Sequence, residues 1–279
     1  ILIHTFREAV SYSVCFSNWR FYKVNIIKDL LKAGNIVVGT GASPTYKHFE
    51  VDMDMLADSG FDFVLFDTQH APVEAKQLHA PIQAMRGKRA APVIRVHNRF
   101  DQIGNALDAG ARGIIVPMVG TKEEAVSLVR SCKYSPLGER SNSGVRGEWG
   151  EFKDYRSFLD MVNEELVIMA MIETRQVLDN IDEIVSVPGI DVVLVGPSDF
   201  SIELGVPIDY KSDTFQQALD KIVTACNKHG VVPGHYFIPP DMDPEFFIQK
   251  GFRLFTMQWA DWAAQGIQTG LDGINRSPR

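Results

Sequence analysis

Two apolar segments of this chain end in carboxylates. Met169-Ala170-Met171-Ile172 leads into Glu173, and Val192–Val195 passes through Gly196-Pro197-Ser198 to Asp199. On adjacent strands of a barrel, Glu173 and Asp199 would stand at one rim and face a common point. Paired carboxylates with open positions between them suit a hard divalent cation such as Mg²⁺ or Mn²⁺. The bland alternative is that both merely pair with Arg95 or Arg175. Gly196-Pro197-Ser198 forms a turn that allows close backbone approach and can offer amide donors to a carboxylate or phosphate.

Other chemistry-bearing residues fall at the ends of apolar runs as well. Asp67-Thr68-Gln69-His70 closes one run. An Asp–His pair can act as a general base, because the carboxylate fixes the imidazole tautomer and supports the imidazolium. Alternatively, Asp67 only satisfies backbone donors as a cap. Arg95 ends another apolar run and needs an anionic partner. A substrate carboxylate fits its fork, and so does a structural carboxylate. His97 shares the strand face of Arg95, and His235 lies in a later strand where it can line a barrel. His48 and His79 fall inside helical patterns, and His229 stands at a helix end. No Lys closes the fifth to seventh runs as an imine-forming enzyme needs. Gly39-Thr40-Gly41 lacks the third glycine and acidic residue of a dinucleotide fingerprint.

The elements that would position these residues alternate regularly. Eight short apolar runs read as buried parallel strands: Ile36–Gly39, Phe61–Phe66, Pro92–Val96, Gly113–Val119, Leu166–Ile172, Val192–Val195, Val231–Phe237 and Phe252–Met257. Helical patterns precede and separate them. They are Asn25–Ala33, Thr45–Ser59, Val73–Met85, Asp101–Ala109, a Thr121/Glu124 capping box running to Cys132, Gln176–Val185, Thr214–His229, Pro244–Lys250 and Trp259–Leu271. Eight strand–helix units predict a single (β/α)₈ TIM barrel over residues 25–279, with a doubly wound sheet as the structural alternative. In such a barrel the strand C-termini form the active-site rim. Tyr134 to Glu165 is the one irregular stretch, read as a functional or interface loop.

Composition sets the bounds. The chain has 279 residues, 45% hydrophobic and 23% charged, with a formal charge of −7. That charge argues against nucleic acid or an anionic membrane as partner, but leaves a small anionic substrate open. Cys15, Cys132 and Cys226 lie far apart without metal-ligand spacing and read as reduced thiols of a cytoplasmic protein. No apolar run reaches the ~20 residues needed to span a bilayer. Residues 1–24 read as an N-terminal extension without the order of a secretory signal. The chain opens on Ile1 rather than Met, so its start is read as truncated or processed.

Several of these pieces occur together in a known order. They are Phe61–Asp67 into His70-Ala71-Pro72, Val93-Ile94-Arg95-Val96, Leu107–Ala111 into Val116–Val119, Tyr134–Arg140, Ile172-Glu173-Thr174 and Gly196–Phe200. Over roughly residues 25 to 270 the chain resembles the HpcH/HpaI family of class II pyruvate aldolases, which includes macrophomate synthase-like proteins. The resemblance implies a barrel whose last helix is swapped between protomers of a homo-oligomer, a hexamer or trimer of dimers. It implies Glu173 and Asp199 as ligands of Mg²⁺, Mn²⁺ or Co²⁺, and Arg95 as the residue holding a small 2-oxo acid. His70, oriented by Asp67, would move protons.

The implied chemistry is aldol cleavage of 4-hydroxy-2-oxo acids through a pyruvate enolate, with oxaloacetate decarboxylation as a related route. Two positions depart from the family pattern. Gln69 stands where Glu is frequent, and Met171 where Gln is frequent. They leave two other readings open: a carbon–carbon bond-forming enzyme using oxaloacetate and a pyrone-type acceptor, or a catalytically silent metabolite-binding relative.

Overall fold

The computed structural model describes residues 25–42, 49–71, 73, 75–146 and 149–272. The expected extension over 1–24, Cys15, His48 and the expected helix start at Thr45 lie outside them. Eight strands close into a barrel in sequence order, β1 to β8, every neighbouring pair parallel. They are β1 Val37–Ala42, β2 Phe63–Asp67, β3 Ala91–Arg95, β4 Gly113–Val116, β5 Val167–Ile172, β6 Val192–Val195, β7 Val232–His235 and β8 Leu254–Met257. This is the expected (β/α)₈ architecture, and barrel closure excludes the doubly wound alternative.

Alternation along each strand splits the core into two layers. Phe63, Leu65, Val93, Ile115, Met169, Met171, Val192 and Leu194 fill the barrel interior. Val64, Phe66, Ile94, Ile114, Ile168, Ile172, Val193 and Val195 face outward against the helices. Both faces are buried, so the strands read as continuous apolar runs. Gly39 shows how full the interior is, since a Cβ there would lie 2.2 Å from the Phe63 ring.

Helix α1 (Ile26–Lys32) plugs the N-terminal mouth with Ile26 and Ile27. Asn25 caps it and also donates to the carbonyls of Arg112 and Glu165, 2.8 Å each, tying the plug across the strand entries. The layer outside begins with α2 (Phe49–Asp58), α3 (His79–Ala84), α4 (Phe100–Ala109) and α5 (Lys122–Cys132). It continues with α6 (Tyr155–Glu165), α7 (Arg175–Val185), α8 (Pro197–Glu203), α9 (Asp213–His229), α10 (Pro244–Lys250) and α11 (Trp259–Asp272). The Thr121/Glu124 capping box is present in full. Helices α4, α9 and α10 stop at left-handed Gly110, Gly230 and Gly251.

Four expectations are corrected. Strand β4 stops at Val116 rather than Val119, because Pro117 lacks an amide and Met118 takes a positive φ of 58°. The helix expected over Val73–Met85 divides into a 3-10 turn (Ala75–Leu78) and α3. Pro81 must lie in a first turn, which makes α3 begin late. The irregular stretch to Glu165 contains α6, opened by reciprocal capping between Asp154 and Ser157. The Gly196–Asp199 turn is the start of α8, with Pro197 as its first residue and Asp199 in its first turn. Helix α11 has no buried residue, although Trp262 stacks on Phe61 at 5.7 Å.

Candidate active site

Pairing register sets the site. Asp67 of β2 and Arg95 of β3 are direct partners, so their side chains leave the same face side by side. Arg95 is only 5% exposed. Its Nε donates to Asp67 Oδ1 at 2.9 Å and its Nη2 to Asp67 Oδ2 at 2.5 Å. Asp67 Oδ1 also accepts the backbone amides of Gln69 (2.9 Å) and His70 (3.4 Å). Burial would raise the Asp67 carboxyl, but the fork, the Arg95 charge and the two amides outweigh it and hold it below the usual carboxylate range.

Here the structure corrects one expectation. Asp67 does not orient the His70 imidazole; it anchors Arg95 and caps the turn that carries His70. The reason is reach: a parallel neighbour at matched register lies closer to the carboxylate than a side chain three residues along an outgoing turn. His70 itself stands exposed at the β2 rim.

Across the mouth, β5 delivers Glu173, 3% exposed. Its Oε2 accepts the Met118 amide at 3.2 Å, a donor aimed by the left-handed turn after β4. Gly196, bonded through its own amide to the Ile172 carbonyl (2.9 Å), lies against this carboxylate. A Cβ on Gly196 would meet Glu173 Cγ and Oε1 at 2.7 Å. Burial pushes the Glu173 carboxyl up, and the charge of Asp199 pushes it further. The Met118 amide and Arg95 offset this only in part. Asp199 is exposed on the first turn of α8.

The expected backbone donors are therefore narrowed. Gly196 contributes space rather than an amide, Pro197 has none, and the amides of Ser198 and Asp199 remain in the open first turn of α8. The Ser198 hydroxyl lies 3.5 Å from that of Tyr210.

The Glu173 carboxyl, buried and pushed up further by the charge of Asp199, lacks full charge compensation from its surroundings. A divalent cation fits that deficit. Among the described residues no group of three or more His, Cys, Asp or Glu converges. Two protein carboxylates, with water and substrate oxygens completing the shell, is a usual arrangement for Mg²⁺. The donor set thus fits the expected group.

The other histidines do not join this site. His97 is exposed beyond β3. His229 bonds Asp182 at 3.1 Å on the surface. His235 faces outward, against Phe247 and Phe252, and not into the barrel.

One site residue was missed from sequence. Tyr236, directly after β7, packs on the barrel-interior layer, and the guanidinium of Arg95 lies over its ring at 4.7 Å. The available signal was an aromatic residue at a strand's C-terminal end, one position beyond the histidine that drew attention.

Residues 51–273 match the sequence profile of the HpcH/HpaI aldolase/citrate lyase family. The chain belongs to this family. HpcH/HpaI relatives are similar along nearly the whole chain. The 2-keto-3-deoxy-L-rhamnonate aldolase of Escherichia coli (strain K12) is 31% identical over 252 residues, 89% of this chain and 87% of that one. The citrate synthase SbnG superposes with a TM-score of 0.73 at 28% identity, covering 88% of this chain and 98% of that chain. Macrophomate synthase superposes with a TM-score of 0.72 at 25% identity, covering 89% and 88%. No helix among the described residues is long and apolar enough to cross a membrane.

Proposed function

We propose that this HpcH/HpaI chain is a divalent-cation-dependent carbon–carbon lyase that splits 4-hydroxy-2-oxo acids into pyruvate and an aldehyde. The observation that carries this reading is the raised, buried Glu173 beside Asp199, opposite the anchored cation Arg95, on one barrel rim. The 31% identical aldolase supports a 2-keto-3-deoxy sugar acid as the substrate class.

Glu173 and Asp199 would hold Mg²⁺, Mn²⁺ or Co²⁺, which supplies positive charge where negative charge develops on the 2-oxo oxygen. Arg95 binds the carboxylate end of the substrate. Its own position is set by Asp67, so little reorganisation accompanies binding. Ser198 offers its first-turn amide to the same carboxylate. Cleavage breaks C3–C4. The 4-hydroxyl proton leaves to His70 and C4 becomes the aldehyde carbonyl. C3 takes the electron pair and then a proton, giving pyruvate.

A second reading uses oxaloacetate as the pyruvate-unit donor for bond formation, as a pyrone-acceptor synthase would. The likeness to a citrate synthase and to macrophomate synthase favours it. The exposed α11 further supports docking of this helix on a neighbouring protomer, in a hexamer or trimer of dimers.

Pyruvate release from 2-keto-3-deoxy-L-rhamnonate and from shorter 4-hydroxy-2-oxo acids is the test, with chelator and then with each metal restored. Loss with chelator and recovery with metal is expected. Oxaloacetate turnover without cleavage of any 4-hydroxy-2-oxo acid would favour the second reading. No turnover of either by folded protein would leave the silent binding relative.

A further inference from the structure

Arg95 is held from more sides than its ion pair with Asp67. Its Nη1 points to the thioether of Met171 at 3.7 Å, and its guanidinium carbon lies over the Tyr236 ring, 4.7 Å from the centroid. Met171 and Tyr236 come from β5 and from the end of β7, on the far side of the barrel interior from β2 and β3. Two opposed walls of the barrel thus converge on one side chain. The Asp67 fork occupies Nε and one face of Nη2. A thioether is a weak acceptor, so Nη1 keeps most of its hydrogen-bonding capacity.

The Tyr236 amide donates to the Val195 carbonyl at 2.9 Å, so the ring is carried by a continuation of β7 rather than by a free loop. Burial raises its phenol, which keeps the ring neutral beside the cation. Among the described residues the Tyr236 hydroxyl has no hydrogen-bond partner.

We infer that Tyr236 is a positioning residue for the substrate-binding cation: its ring face, with the Met171 thioether, fixes Arg95 so that Nη1 is presented to the carboxylate of a 2-oxo acid. A cation over an aromatic face is held by the ring quadrupole without a competing hydrogen-bond acceptor. An oxygen acceptor at the same place would instead occupy Nη1. Met171 acts in the same sense. It contacts Nη1 without taking up that donor, so the oxygen that satisfies it comes from the substrate.

The inference rests on the reading that Arg95 binds the 2-oxo acid, and the test separates the two. Pyruvate binding is measured by calorimetry on the full chain, metal present, for wild type, Arg95→Ala, Tyr236→Phe, Tyr236→Leu and the Arg95→Ala/Tyr236→Leu double variant. Wild type is expected to bind pyruvate and Arg95→Ala to lose it. Tyr236→Leu should weaken binding about tenfold, and Tyr236→Phe, which keeps the ring face, should recover most of that. In the Arg95→Ala background, Tyr236→Leu should change nothing further.

Equal binding by wild type and Tyr236→Leu, with Arg95→Ala inactive in binding, would overturn the role of Tyr236 alone. A loss in Tyr236→Leu that Tyr236→Phe does not recover would also overturn it. No binding by wild type, or binding that survives Arg95→Ala, would remove the function reading and this inference with it. Should Tyr236→Leu not fold, Tyr236→Met fills the gap without a ring and takes its place.

Discussion

Glu173 and His235 are both buried titratable residues; burial shifts their pKa values in opposite directions, each toward its neutral form. Burial and the charge of Asp199 raise the Glu173 carboxyl, so the folded state without a cation disfavours its ionised form. Between the ordinary carboxyl pKa and the raised one, the folded chain binds more protons than the unfolded chain. Stability of the metal-free protein therefore gains from this group as pH falls through that window. Glu173→Gln is expected to raise metal-free stability by about 1 kcal/mol, and to abolish both activity and the upward shift in melting temperature expected of wild type with Mg²⁺ or Mn²⁺. Thermal unfolding with and without metal checks this. A variant that still gains stability from metal would show that Glu173 is not a ligand.

His235 is pushed down to about 4 by burial, with its Nδ1 bonded to the Phe237 carbonyl at 2.5 Å and its Nε2 without a partner among the described residues. It is neutral when folded. Below its unfolded pKa of about 6.5 the unfolded chain takes up the proton first, so stability is lost as pH falls from about 6.5 to 4. This one group accounts for about 3 kcal/mol of that loss. His235→Leu costs about 1 kcal/mol at pH 7 through the lost bond. Its denaturation profile should then fall less steeply across the same window by up to one proton. An unchanged slope would place the titration elsewhere.

At the scale of elements, the site is made by turns that leave the strands. The β5 and β6 exits bring Glu173 and Gly196 into contact, and the absence of a Cβ on Gly196 creates the space in which the carboxylate lies. Gly196→Ala should displace Glu173 rather than the backbone, because the side chain is the softer partner. The expected outcome is a melting temperature within a few degrees of wild type, with metal affinity reduced more than tenfold, read by calorimetric titration. A large loss of stability with metal affinity retained would contradict that division.

Much of the element pattern was legible because it is local. The Thr121/Glu124 box and the stops at Gly110, Gly230 and Gly251 are decided within a few residues. Helix α6 was legible but unread: Asp154, Ser157, Phe158 and Val162 carry its cap and its buried stripe. Helix α8 is short, and its Gly-Pro start is the same signal that marks a turn.

At the scale of the whole molecule, α11 presents an apolar surface that its own barrel does not cover. Trp262, Ile267 and Leu271 are all exposed. Surfaces of this kind mark association. On the proposed docking of α11 against a neighbouring protomer, Ile267→Glu combined with Leu271→Glu is expected to give smaller species than wild type in sedimentation velocity, while far-UV circular dichroism stays that of the barrel. An unchanged sedimentation coefficient would remove α11 from the interface.

The sequence by itself determined the strand count, the strand–helix alternation and the identity of the carboxylates at the rim, while closure into a barrel was decided by the structure. Those depend on apolar periodicity and on residue type at strand ends, which are written in consecutive residues. Tertiary structure alone decided which partner each group takes. Asp67 meets Arg95 because β2 and β3 pair in matched register, and not His70, its nearer neighbour in sequence. His235 turned outward and Tyr236 inward because strand alternation assigns faces only once the barrel closes. Met118 serves Glu173 across 55 residues through a backbone amide, a group every residue type but proline carries, so no side-chain pattern could announce it.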